Sequence, residues 1–237
     1  MCTVTFVKSS DQIIITSNRD ETVKRPALEP RPYPVGQKLV YFPKDPRAGG
    51  TWFAVSDRGE VIVLLNGASE KHQWKPPYRK SRGLVVLDLM GAASPIESWS
   101  SQNLRGIEPF TIVCFASGAL FQLRWDGAQK ESVALDAMQI HIWSSTTLYP
   151  KEVRDRRQKW FDGFMEVRPS ASPAEMFRFH RYTQESDPEN GLVINRNGFL
   201  QTLSITQVVL QNPAVSLTHH DLSADKKSEI HFTVPAP

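Results

Sequence analysis

The stretch from Met1 to Glu21 constrains this chain more than any other. Thr3-Val4-Thr5-Phe6-Val7 alternates with a period of two, Ile13-Ile14-Ile15-Thr16 is β-branched, and the polar group Ser9-Ser10-Asp11-Gln12 separates them. That pattern predicts two antiparallel strands joined by a short turn. A turn centred between Ser10 and Asp11 sets Cys2 opposite Arg19, Val4 opposite Ser17 and Phe6 opposite Ile15. Centred one residue earlier, it sets Cys2 opposite Ser17. Opposed residues share a face and alternate residues return to it, so both registers leave Cys2 and Arg19 on one face.

The open end of this hairpin carries Ser17-Asn18-Arg19-Asp20-Glu21. Removal of Met1 would give Cys2 a free amine, of pKa about 7.7–8.0, beside a thiol of about 8.5. The amine can serve as internal base for the thiol. A guanidinium at Arg19 would favour the thiolate, and Asp20 would hold the ammonium or orient Arg19. An acyl carbonyl attacked by Cys2 also needs hydrogen-bond donors for its oxyanion, such as Asn amides or backbone N–H groups. Residue types alone favour a plainer alternative, in which position 2 merely follows the initiator and Arg19 and Asp20 form a surface ion pair.

Composition narrows the class. The chain has 237 residues, 40% of them hydrophobic, with no linker or compositional break, so one domain over residues 1–237 is expected. Two cysteines do not make a disulfide framework, and Cys114, inside Thr111-Ile112-Val113-Cys114-Phe115, is expected to act as a small hydrophobe. There is no signal-peptide pattern and no apolar run of about eighteen residues. A cytoplasmic protein without a membrane partner is expected. A net charge of +3 is too small to imply nucleic acid. No C-x-x-C, H-E-x-x-H, P-loop or strand-linked G-x-G-x-x-G occurs, so neither a metal nor another cofactor is expected. His219 and His220 would point to opposite faces of a strand, and His141 is expected to be half-buried.

Further along, four prolines between Arg25 and Pro34 predict an extended surface segment without regular structure. A strand at Lys38–Phe42 and a hairpin of Thr51–Val55 and Val61–Leu65 follow. Lys71–Arg82 gathers Lys71, Lys75, Arg79, Lys80 and Arg82 around Trp74 and Tyr78, either as a solvated loop or as an anion-binding lip. Helices are expected at Leu84–Met90 and from Pro95 through Trp99, then strands at Phe110–Phe115, Leu120–Trp125 and Met138–Trp143. Lys151–Val167 is a charged amphipathic helix with Val153, Trp160, Phe161 and Phe164 as its apolar contacts. Ser172-Pro173 caps another, in which Met176 and Phe179 are core. Strands return at Leu192–Asn195, Phe199–Leu210, Val215–His219 and Ile230–Val234. This order predicts an α+β fold of antiparallel sheets with helices outside.

Asn18-Arg19-Asp20-Glu21 with Met1-Cys2, then Gly49-Gly50-Thr51-Trp52, Leu64-Leu65-Asn66 and Ser81-Arg82-Gly83-Leu84-Val85, resembles the NRDE, or transport-and-Golgi-organisation, family. That family is similar to cysteine N-terminal-nucleophile hydrolases such as penicillin V acylase and bile salt hydrolase. The resemblance implies a four-layer αββα sandwich with Cys2 as nucleophile, Arg19 and Asp20 as its partners and Asn66 as oxyanion donor. Asn18, Trp52, Arg82 and Ser145 are the implied substrate-binding positions. Two departures stand out. Ser145 occupies a place where the family usually has asparagine, and no arginine aligns near Glu189–Ile194, where the family commonly has Gly-Thr-Arg. The implied activity is hydrolysis of a non-peptide amide bond in a small amide or acyl compound. The alternative is a non-catalytic binding or trafficking role for haem or an acyl-type anionic metabolite.

Overall fold

The computed structural model describes residues 3–9 and 11–235. The first half of the chain forms β1 (Thr3–Ser9), β2 (Gln12–Thr22), β3 (Leu28–Val35), β4 (Lys38–Lys44), β5 (Phe53–Ser56), β6 (Val61–Asn66), α1 (Arg82–Gly91) and α2 (Pro95–Ser101). There follow β7 (Phe110–Ala116), β8 (Ala119–Trp125), β9 (Lys130–Leu135), β10 (His141–Ser144), α3 (Lys151–Glu166) and α4 (Pro173–Tyr182). The chain closes with β11 (Asn195–Arg196), β12 (Leu200–Gln211), β13 (Ala214–Asp221) and β14 (Lys226–Thr233). The strands make two antiparallel seven-stranded sheets. Two compact units result, one from the N-terminal residues through Pro26 with Met138–Thr233, the other from Ala27–Ala137 with the segment from Val234 on.

In the first unit the sheet runs β10-β1-β2-β12-β13-β14, with β11 beside β12. The β1–β2 ladder pairs Thr3 with Asn18, Val4 with Ser17 and Phe6 with Ile15, the first of the two registers expected. Cys2 itself lies outside the described residues. A capping box opens α4: the Ser172 hydroxyl accepts from the Glu175 N–H, and the Glu175 carboxylate accepts from the Ser172 N–H. Phe161 and Met165 of α3 and Met176 and Phe179 of α4 pack with Val7, Ile14 and Leu192 in one apolar cluster. Each such side chain contributes about 1.5–3 kcal/mol when buried.

In the second unit the sheet follows chain order, β3-β4-β5-β6-β7-β8-β9. Here the proline-rich segment departs from expectation, because Leu28–Val35 is a strand. Pro30, Pro32 and Pro34 alternate along it, so the residues between them keep their N–H groups for β4. An edge strand needs donors on one side only, and β3 is an edge. The opposite edge, β9, was not expected: Lys130-Glu131-Ser132 is too polar to alternate visibly. Residues 192–194, expected as strand, are irregular and leave only the short β11. Their backbone is bonded elsewhere, since the Leu192 N–H donates to Thr183 O and Leu192 O accepts from the Asn18 amide. Among the described residues no helix is long and apolar enough to cross a membrane.

Candidate functional site

Asn18, Arg19 and Asp20 are all buried, at 0%, 3% and 2% exposure, so Arg19 and Asp20 are not a surface ion pair. Strand alternation sends Asn18 and Asp20 to the face where β1 and β2 meet the helices, and Arg19 to the other. The Asp20 carboxylate accepts a hydrogen bond from the Tyr149 hydroxyl at 2.5 Å and another from the Thr202 hydroxyl at 2.5 Å. A bulge makes the second possible. Asp20 pairs with Thr202 and Arg19 with Ser204, so Leu203 is the extra residue, and Thr202 turns to the Asp20 face while Ser204 takes that of Arg19. The Arg19 guanidinium donates to Arg25 O at 2.9 Å. Ser204 is buried, and its hydroxyl has no partner among the described residues.

Asn18 works inward. Its amide nitrogen donates to His180 O at 3.1 Å and Leu192 O at 2.6 Å, so its amide oxygen must accept from His180 Nδ1. His180 Nε2 is then the unprotonated nitrogen and accepts from the Thr5 hydroxyl at 2.8 Å. The ring is neutral: complete burial, helped by the Arg157 charge, pushes its pKa down to about 3. Both Asn18 amide protons are committed to main-chain carbonyls, a use that ties β2 to α4 and the 190s segment.

Arg157 is the most buried of the charged residues that sequence reasoning missed. It is fully buried on α3. Its guanidinium donates to the Thr3 hydroxyl at 2.5 Å, to Asn190 O at 3.1 Å and to Gly191 O at 2.5 Å, and lies 3.6 Å from the centre of the Tyr149 ring. No arginine aligns in the 190s block, yet one reaches that segment from a helix. The signal was present in the spacing, because Val153, Arg157 and Phe161 repeat every four residues along the buried stripe. Tyr149 and Thr202 had no such signal. Ser145 is 1% exposed, follows β10 directly, and shares a hydrogen bond of 2.9 Å with Thr147.

The second unit holds the other expected positions. Asn66 ends β6, opposite Phe110. The turn after it is braced, since the Gly67 N–H donates to Pro109 O at 3.1 Å and the Thr111 hydroxyl to Gly67 O at 2.9 Å. Arg82 commits its guanidinium to the same brace, donating to Pro109 O at 3.2 Å and pairing with Glu108 at 3.1 Å. His72 takes the other Glu108 oxygen at 3.2 Å. Two sequence blocks also touch through glycines. The Thr51 N–H donates to Gly83 O, and a Cβ on Gly50 would come within 2.4 Å of the Gly83 carbonyl carbon. Trp52 is buried beside them, its carbonyl accepting from the Leu64 N–H at 2.9 Å. Cys114 is buried too, and burial together with the nearby Glu60 pushes its thiol up to about 12. It is no nucleophile at neutral pH.

The fold is that of N-terminal-nucleophile hydrolases. A mutant of conjugated bile acid hydrolase from Clostridium perfringens matches with a TM-score of 0.61 at 8% identity, over 99% of this chain and 97% of that one. The Caenorhabditis elegans orthologue of N-acylethanolamine-hydrolyzing acid amidase matches with a TM-score of 0.65 at 13% identity, over 99% and 100%. Comparison with curated proteins gives no match. The chain belongs to the Transport and Golgi organisation 2 family, whose sequence profile matches residues 1–207.

Proposed function

We propose that this protein is an N-terminal-cysteine hydrolase that cleaves an amide C–N bond in a small molecule. The observation that carries the proposal is the buried Arg19 with the unspent Ser204 hydroxyl opposite it, at the open end of a hairpin in whose expected pairing Cys2 and Arg19 share a face. The likeness to a conjugated bile acid hydrolase and an acid amidase supports the same reading at the level of fold.

With Met1 removed, the Cys2 amine takes the thiol proton and the thiolate attacks the amide carbonyl carbon. The oxyanion is held by Asn66 and backbone N–H groups. Collapse of the intermediate breaks the C–N bond, the ammonium returns its proton to the departing amine, and a thioester remains on Cys2. Water attacks that thioester, releases a carboxylic acid and restores the thiol. Arg19 stabilises the thiolate, Asp20 holds the ammonium, and Arg157, through Thr3 and Tyr149, positions both. Asn18 braces β2 against α4 and the 190s segment, Arg82 braces the turn after Asn66, and Trp52 and Ser145 border the substrate. A cytoplasmic setting would keep the Cys2 thiol reduced.

Intact-mass measurement and labelling with a thiol-reactive acyl probe test this reading. Loss of Met1 and a probe adduct that disappears in Cys2→Ala are expected. Retained Met1, or equal labelling of Cys2→Ala, sinks it. The competing reading, a binding or trafficking pocket, draws on the hydroxyl of Ser145 where the family's amide donor would stand. A saturable spectral change on titration with haem, without acyl transfer, would favour it.

A further inference from the structure

Five basic side chains crowd Lys71–Arg82, and the second unit supplies carboxylates for two of them. Lys80 pairs with Asp88, and Arg82 with Glu108. Lys71, Lys75 and Arg79 have no carboxylate partner among the described residues, and neither does Arg105 on the adjoining loop. A solvated basic loop need not fix its cations in place, but this one fixes Arg79. The Arg79 N–H donates to Gly106 O at 2.8 Å, its Nε to Arg105 O at 3.1 Å and its Nη2 to Asn103 O at 2.6 Å. Two of the five guanidinium N–H groups are used this way, and three remain.

These bonds pin Arg79 to residues 103–106 beside a cleft of about 400 Å³, lined by Pro77, Tyr78, Arg79, Asn103, Arg105 and Gly106. That volume lies within the range of small-molecule sites. Among the described residues no carboxylate lines it. A guanidinium fixed before the ligand arrives loses little freedom on binding, and the exposed Arg105 offers a second one. Lys71 and Lys75 add charge from the same loop.

From this arrangement we infer that the cleft binds a phosphate ester. A carboxylate brings a single charge and would leave most of these cations unmatched. A phosphomonoester or diphosphate brings about two charges or more, with several acceptor oxygens that suit the guanidinium fork. The Tyr78 ring and Pro77 provide an apolar flank for the organic part of the ester.

Calorimetric titration of the full chain with sodium pyrophosphate at low ionic strength tests the inference, with sodium acetate as the singly charged control. Saturable pyrophosphate binding in the range of about 10–100 μM is expected, and none for acetate. Arg105→Gln should weaken binding about tenfold or more without altering the fold, because the brace uses the Arg105 carbonyl and not its side chain. Lys71→Gln with Lys75→Gln should flatten the salt dependence. Absence of saturable binding up to about 5 mM pyrophosphate, a millimolar limit corresponding to hardly more than 3 kcal/mol, overturns the inference. Unchanged affinity in Arg105→Gln, or equal binding of acetate, also overturns it. Sedimentation with phosphatidylcholine vesicles, with and without phosphatidate, separates the two sources of such a group. Phosphatidate-dependent sedimentation reversed by pyrophosphate assigns a lipid headgroup. Pyrophosphate binding without sedimentation assigns a soluble ester.

Discussion

Two arginine-centred regions of this protein treat their charge in opposite ways. Arg157 in the first unit is wholly buried and surrounded by partners from its own chain: a hydroxyl, two carbonyls and an aromatic face. Arg105 in the second unit is exposed beside the braced Arg79, and among the described residues neither has a carboxylate partner. A buried charge survives only if the fold supplies its partners, whereas a surface cation can wait for a ligand. Internal partners therefore mark a positioning role, and their absence in a formed cleft marks a place for something else.

The sharpest way to break that contrast is Arg157→Met. It should cost about 3–5 kcal/mol, because the Asn190 and Gly191 carbonyls and the Thr3 hydroxyl lose their donor together. Urea denaturation measures this, and a loss below about 1 kcal/mol would mean that Arg157 does not hold the region together.

Acid should expose the same buried network. The folded pKa of His180, about 3, lies below its unfolded value near 6.5, so its contribution is complete above about pH 6.5 and is lost as the pH falls. The slope of about 1.4 kcal/mol per pH unit predicts a loss of about 2 kcal/mol between pH 6.5 and 5. Half-buried His220, depressed by burial and by Lys227, acts in the same direction and more weakly. His180→Gln should remove most of the slope, and a variant with the wild-type slope would assign the effect elsewhere.

A smaller effect is expected from Tyr149→Phe, which leaves the Asp20 carboxylate with one fewer donor. It should cost about 1–3 kcal/mol and slow acyl transfer to Cys2, read by stopped-flow labelling. Arg105→Gln should stay within about 0.5 kcal/mol of wild type in denaturation, and a larger loss would make Arg105 a structural residue.

Most of the fold was legible because it is written locally. The hairpin register, the Ser172 cap and the apolar runs of β5–β7 each depend on residues close in sequence. The errors also have local causes. Prolines spaced by two look like a broken strand unless the strand is known to be an edge, and Leu192–Ile194 looks like a strand until its backbone partners are known. The candidate site was half legible. Asn18, Arg19 and Asp20 stand together in one motif, and Asn66, Arg82 and Trp52 each lie in a block of their own. Arg157 was hidden because a charged residue on an amphipathic helix is ordinarily placed outside.

The opening hairpin shows where the division falls. Its strand pattern, and the face shared by Val4, Ser17 and Arg19, were determined by the sequence alone, since side-chain alternation follows from backbone geometry. What Asp20, Asn18 and Thr3 would bond to was decided by tertiary structure. Their partners Tyr149, Thr202, His180 and Arg157 lie more than a hundred residues away. Only closure of the first unit brings those groups within hydrogen-bonding distance, where burial makes each pairing obligatory.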